Sequence, residues 1–287
     1  MLVCRYTDAG RYGYGRIDSG SGGTHLSPVR YDTAARSWVP AGGPSRPLSD
    51  VTLLAPAEPT KIVCLALNWA AGDRPTGGPL PRAADSAVLL KPSTSLIGPD
   101  SAVVHPGPDW ELRHEAELAV VIGVRCSRVS AARAPDVIAG YTAANDITAY
   151  ARRTPQNADR QPVWAKHFDG CTPLGPWLAT GLDPADVVLS CRVDGELRQQ
   201  AGTRDLVVPV ADVVALVSEH MTLLPGDVVL TGTPPGSGPL PAGSRVEVSA
   251  TGIGVLRTTV DAPSRPGERR TAAALSTSLD GKGRCHR

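Results

Sequence analysis

Apolar runs of about four to eight residues, each closed by Gly, Pro, Asp or Asn, recur along most of the chain and have the length and punctuation of strands joined by turns. KIVCLALN, AVLLKP, ELAVVIGV, VIAGYTAAND, DVVLSCRVDGELR, GDVVLTGTP, SRVEVSATGIG and VLRTTV are the predicted strands. Several are apolar on both faces, which predicts sheets covered on both sides. VDGEL and TGIGVL carry hairpin-turn residues. VPVADVVALVSEHMTL has apolar residues at helical spacing and is closed by PGD, which makes it the best predicted helix. AARAPDVIAGY is expected to open with another short helix. The predicted fold class is mainly β (α+β) with few short helices.

The strand-like pieces Leu2–Tyr6 and Tyr12–Ile17 are followed by the Pro-rich AGGPSRPLSDVTLLAPAEPTK, so residues 1–58 are expected to form a small N-terminal domain and linker. The main domain is expected over 59–261. Beyond it, residues 262–287 lose periodicity and gain Ser, Gly, Pro and charge, as a disordered tail does.

Composition removes several function classes. The 29 Lys+Arg against 28 Asp+Glu leave a formal charge of +1, without the basic footprint that neutralises a phosphate backbone, so no nucleic-acid partner is expected. No stretch approaches about 18 uninterrupted apolar residues. MLVCRYTDAGRYGYG lacks an apolar core of signal-peptide length, so no membrane partner is expected and the location is expected to be cytoplasmic. Six cysteines without a CxxC pair are expected to be reduced, buried thiols rather than a disulfide framework or a zinc site.

The candidate chemistry starts in HEAELAVVIG, where strand period puts Glu115 and Glu117 on one face. A solvent-facing edge strand would explain such a pair blandly, but the flanking AVVIG has the character of a central strand. Two adjacent carboxylates that are costly to bury need Arg or Lys partners, a shared proton or a cation. Asp146, at the end of VIAGYTAAN, is either a third carboxylate of that site or a turn or helix cap. Three such ligands suit Mg²⁺ (or Mn²⁺/Ca²⁺) and leave coordination positions for water and a chelating 2-oxo acid or 1,3-dicarbonyl substrate. Lys166 in WAKHFDGCTPLGPW is the candidate catalytic residue, a compact charge that can steady an enolate or form a salt bridge to Asp169 or Glu117. In LTGTPPGSGPL the backbone around Gly232 and the hydroxyls of Thr231 and Thr233 either cradle an anionic substrate group or form a plain hairpin loop. Lys91 and Arg153 complete the candidate substrate contacts.

Taken together, KIVCLALNW, LLKPSTSLIGP, HEAELAVVIG, IAGYTAANDIT, WAKHFDGCTPLGPW, MTLLPGDVVLTGTPPGSGPL and GIGVLRTTV, in that order over about residues 61 to 260, resemble the fumarylacetoacetate hydrolase superfamily. The resemblance implies a mixed β-roll, usually in a homodimer, with metal ligands at Glu115, Glu117 and Asp146, the active-site lysine at Lys166 and a substrate-carboxylate threonine at Thr233. It implies C–C hydrolysis, decarboxylation, or keto–enol and double-bond isomerisation of a small-molecule substrate. The chain departs from the family pattern where hydrolytic members carry Asn-Tyr-x-x-His. Here the run is Asn68-Trp69-Ala70-Ala71-Gly72, and no Glu occurs between Lys61 and Ala102. After Asp146 the chain continues Thr148-Ala149-Tyr150-Ala151-Arg152-Arg153 in place of Ser/Thr-Ala-Arg-Asp. His105, His114 and His167 are the candidate replacement bases. The first functional expectation is a divalent-metal-dependent enzyme that cleaves or hydrolyses a C–C bond of a 2-oxo acid or 1,3-dicarbonyl compound. The alternative is a metal-dependent tautomerase, isomerase or decarboxylase that needs no activated water, with a non-catalytic binding protein as the third reading.

Overall fold

The computed structural model describes residues 1–20, 23–70, 87–152 and 163–263. Its centre is the strand Ala116–Ile122, buried along its whole length. Leu118, Val120 and Ile122 enter one apolar cluster while Ala119 and Val121 enter another on the opposite face. The neighbouring strand Ile62–Leu65 divides in the same way, Val63 and Leu65 to one side and Ile62 and Cys64 to the other. Both sheet faces are therefore covered, which is why these strands lack polar alternation.

Ala116–Ile122 pairs antiparallel with Ile138–Asn145 on one side and with Val228–Leu230 on the other. Val228–Leu230 runs parallel to Ile62–Leu65, which pairs antiparallel with Val88–Lys91, so the sheet is mixed. In the other direction the sheet continues through Thr172–Ala179 to Leu2–Asp8, joined at Leu2↔Ala179 and Val3↔Leu178, and on to the strands of the leading segment. A second sheet has five strands in the order Ser101–Val104, Gly254–Asp261, Arg245–Ala250, Val188–Val193 and Glu196–Gly202. A small ribbon pairs Trp110–Arg113 with Thr148–Ala151. The fold is the mainly β, mixed-sheet architecture expected from the sequence.

The predicted helix is Val210–His220, with Val210, Val213, Val214 and Val217 buried at i, i+3, i+4 and i+7. AARAPDV is a short 3₁₀ segment, Ala131–Val137. No helix among the described residues is long and apolar enough to cross a membrane. The expected tail, 262–287, lies outside the described residues from 264 onward.

The turn after the helix does more than stop it. Asp227, with a fully buried side chain, accepts hydrogen bonds from the amides of Thr60, Lys61 and Leu224 and from the Thr60 hydroxyl, and pairs with the Lys61 ammonium. It clasps the start of Ile62–Leu65 to the start of its parallel partner Val228–Leu230, which no short turn connects. Gly226 has φ +88°, and a Cβ there would stand 2.8 Å from the Glu58 carbonyl.

Asp227→Ala is expected to lower the unfolding free energy by about 3 kcal/mol, read from the urea midpoint at unchanged m, because it leaves a buried donor set unpaired. Burial pushes the Asp227 carboxyl up, but Lys61, Thr60 and the Leu224 amide outweigh it and hold the group below the usual carboxylate range. Its contribution is therefore complete above the unfolded value of about 4 and lost as pH falls through the depressed folded value, so the deficit of the variant should shrink in acid.

Candidate metal centre and active site

Strand period and register build the site. Glu115 and Glu117 lie two residues apart at the entry to the central strand, and the register Asn145↔Ala116 and Ala144↔Glu117 places the next residue, Asp146, beside Glu115. The Asp146 amide donates to the Glu115 carbonyl at 2.8 Å, and the Asn145 side-chain oxygen accepts from the Glu115 amide at 2.9 Å. One carboxylate oxygen from each of Glu115, Glu117 and Asp146 falls within 4.8 Å of the others, and all three residues are buried.

Two ammonium groups answer these three carboxylates. Lys166 bridges Glu115 Oε2 at 2.9 Å and Asp146 Oδ2 at 2.5 Å. Lys91, with no exposed side-chain surface, donates to Asp146 Oδ1 at 2.5 Å and to the Cys171 carbonyl at 2.8 Å. Glu115 also accepts from the Thr148 hydroxyl at 2.8 Å. Glu117 has no cation partner among the described residues; its Oε2 accepts from the Gly232 amide at 2.6 Å. Gly232 has φ +95°, and a Cβ would meet Asn68 Cβ and the Leu65 carbonyl at 3.0 Å, so the loop reaches Glu117 only as glycine.

The electrostatics follow this asymmetry. Burial pushes the Asp146 carboxyl up, but Lys166 and Lys91 outweigh it and bring it down to about 2. Burial raises Glu115 despite the pull of Lys166. Burial together with the Asp146 charge drives Glu117 well above the carboxylate range. Burial lowers the ammonium of Lys166, but Asp146 and Glu115 more than reverse it and raise the group well above its ordinary value. An all-oxygen donor set with one carboxylate left without a counter-cation fits a hard divalent ion, which would take oxygen ligands from all three residues.

Residues 61–261 match the model of the fumarylacetoacetate (FAA) hydrolase C-terminal domain. The chain belongs to the fumarylacetoacetate hydrolase family. It is 38% identical to 5-carboxymethyl-2-hydroxymuconate delta-isomerase from Mycobacterium smegmatis, with a TM-score of 0.79 over 91% of this chain and 100% of that one. It is 39% identical over 210 residues to human oxaloacetate tautomerase FAHD2B, mitochondrial, covering 72% of this chain and 66% of that protein. Maleylpyruvate hydrolase from Sphingobium sp. SYK-6, solved with manganese(II) and pyruvate, is 27% identical, with a TM-score of 0.72 over 92% of this chain and all of that one. These relatives support an enzyme of the fumarylacetoacetate hydrolase superfamily acting on a small molecule, and one of them holds manganese(II).

In this family member the other sequence candidates divide. Lys91 is turned into the protein behind Asp146, with its acceptors supplied by the chain itself. The Gly232 amide is committed to Glu117, and the Thr231 hydroxyl to the Leu118 carbonyl. The partly buried Thr233 hydroxyl donates to the Ala116 carbonyl at 3.0 Å and accepts from Gln199 Nε2 at 2.8 Å. Arg153 and Gly72 lie outside the described residues. His114 is on the far side of the strand, bonded to Gln199 Oε1 at 2.9 Å. His105 accepts from the Gly107 amide at 3.2 Å, and His167 is exposed.

Three supporting residues escaped the sequence reading. Thr148 had a usable signal, since it follows Asp146 by one strand period. Gln199 had none: it is one of two glutamines in an ordinary hairpin, yet it is buried and ties His114, the Ala116 amide, Thr233 and the Pro234 carbonyl together. Trp69 is buried and donates from its indole to the Gly232 carbonyl at 2.8 Å, under the loop that holds Glu117.

Because burial favours the protonated form of Glu117 and ligation needs its carboxylate, Mn²⁺ binding should tighten as pH rises and release protons. Calorimetry in two buffers of different ionisation enthalpy measures this. Glu117→Gln should weaken binding by more than about 100-fold, the upper range for losing a residue that merely supports a ligand.

Proposed function

We propose that this protein is a divalent-metal-dependent enzyme that interconverts keto and enol forms, or shifts a double bond, in a 2-oxo acid or 1,3-dicarbonyl compound. The observation that carries the proposal is the buried Glu115, Glu117 and Asp146 set with Lys166 at its edge and no histidine among the described residues hydrogen-bonded to it. Residues 71–86 and 153–162 contain neither His nor Glu, so neither segment can supply the usual water-activating pair. Tautomerisation needs no activated water. It moves one proton between carbon and oxygen, with no oxidant and no leaving group.

A bound Mg²⁺ or Mn²⁺ would supply Lewis-acid polarisation of the substrate carbonyl. Glu115, Glu117 and Asp146 would hold it. Lys166, 13% exposed in its side chain, brings a firmly held positive charge to the edge of the set, where developing negative charge on the substrate oxygen is stabilised. We assign Lys91 to holding Asp146 by one oxygen so that the other stays directed at the site, rather than to direct substrate contact. Thr233 can reach a substrate carboxylate only by turning its proton away from the Ala116 carbonyl. The names of the human tautomerase and the mycobacterial isomerase support this chemistry over hydrolysis. C–C cleavage, the first expectation from the sequence, becomes the second reading here, supported by the maleylpyruvate hydrolase.

Proton NMR of oxaloacetate or an acylpyruvate in D₂O should show deuterium entering the carbon between the two carbonyls only when Mn²⁺ or Mg²⁺ is present, and stopping on chelation. Appearance of cleavage products as fast as exchange would instead establish the hydrolytic reading. Lys166→Met should slow exchange by about 10²–10³-fold, the usual cost of losing one group that stabilises developing negative charge, while Mn²⁺ binding is retained.

A further inference from the structure

The ribbon that carries Thr148 also carries an aromatic side chain the proposed chemistry does not use. In the pair Trp110–Arg113 and Thr148–Ala151, the register sets Glu111 opposite Tyr150, Leu112 opposite Ala149 and Arg113 opposite Thr148. Leu112 and Ala149 are buried on one face, at 0% and 1% exposure. Glu111, Arg113, Thr148 and Tyr150 share the other face by strand alternation. Thr148 identifies that face as the side of the carboxylates, since its hydroxyl donates to Glu115. Tyr150 is one strand period further out and 45% exposed. The same strand packs against the Val163–Lys166 turn that delivers Lys166.

Tyr150 is held in place. The Arg113 guanidinium carbon stands 4.9 Å from the centre of its ring, and Arg113 Nε donates to Glu111 Oε1 at 2.8 Å. A cation on one face draws electron density through the ring and makes the remaining surface a better platform for an electron-rich planar anion.

We propose that Tyr150, fixed by Arg113, is a specificity-determining residue of this site, and that its ring selects substrates whose enol is conjugated to a planar aryl or diene group over those ending in a small alkyl group. This rests on the function proposed above and names the substrate class within it. Stacking places the planar group against Tyr150 while the 2-oxo acid end lies at the carboxylates.

The test is calorimetric binding of benzoylpyruvate and of acetylpyruvate to the Mn²⁺-loaded full chain, for the wild type, Tyr150→Phe, Tyr150→Leu and Tyr150→Ala. The wild type and Tyr150→Phe should favour the phenyl ligand by about three- to tenfold, the range of one aromatic stack, and the Leu and Ala variants should bind the two ligands alike. Equal affinities in the wild type, or a phenyl preference that survives in both Leu and Ala variants, would overturn the assignment and leave the function standing. Failure of both ligands to bind the Mn²⁺-loaded wild type would overturn the function itself, and this inference with it.

Discussion

Three carboxylates brought within 4.8 Å inside a protein repel one another and have lost their water, and much of this fold is arranged around that fact. Asp146 is held ionised by two lysines, one entirely buried behind it and one at the edge of the site. Glu117 receives only a backbone amide. The carboxyl left without a cation partner is pushed by burial toward its protonated form, and its place beside Glu115 and Asp146 gives the cluster an all-oxygen donor set of the kind a hard divalent ion takes.

The scaffold keeps the carboxylates from relaxing apart. Their strand lies at the middle of a sheet covered on both faces, so neither glutamate can turn to solvent without displacing packed Ala, Val and Leu. Gly232 brings its amide to Glu117 because it has no side chain to meet Asn68 and Leu65. Trp69 and Asn68 then fasten that loop by its carbonyls, through bonds to Gly232 and Thr231. Gln199, reaching from the second sheet, binds Thr233 and the strand next to Glu117. Two sheets thus converge on one loop, and the positions of the carboxylates depend on residues outside the cluster.

Much of this was legible in the chain itself. The ExE spacing, the buried character of AVVIG and the position of Asp146 after an apolar run locate the carboxylates because strand period is local. The helix over Val210–His220 follows from its own valine spacing for the same reason. Lys91 illustrates the limit. Its segment, LLKPSTS, offers nothing to distinguish a lysine that faces an open site from one buried behind Asp146, since both put a cation near the same aspartate.

Sequence alone determined the class of strands, the face shared by Glu115 and Glu117, and the absence of the histidine and glutamate that would activate water. Only the tertiary structure decided which carboxylate lacks a cation, that His114 serves Gln199 across the sheet, and that Tyr150 stands beside the site with Arg113 on its ring. The difference is one of range. Periodicity follows from each residue's neighbours in the chain, whereas these contacts depend on strand register between segments that are, as with His114 and Gln199, 85 residues apart.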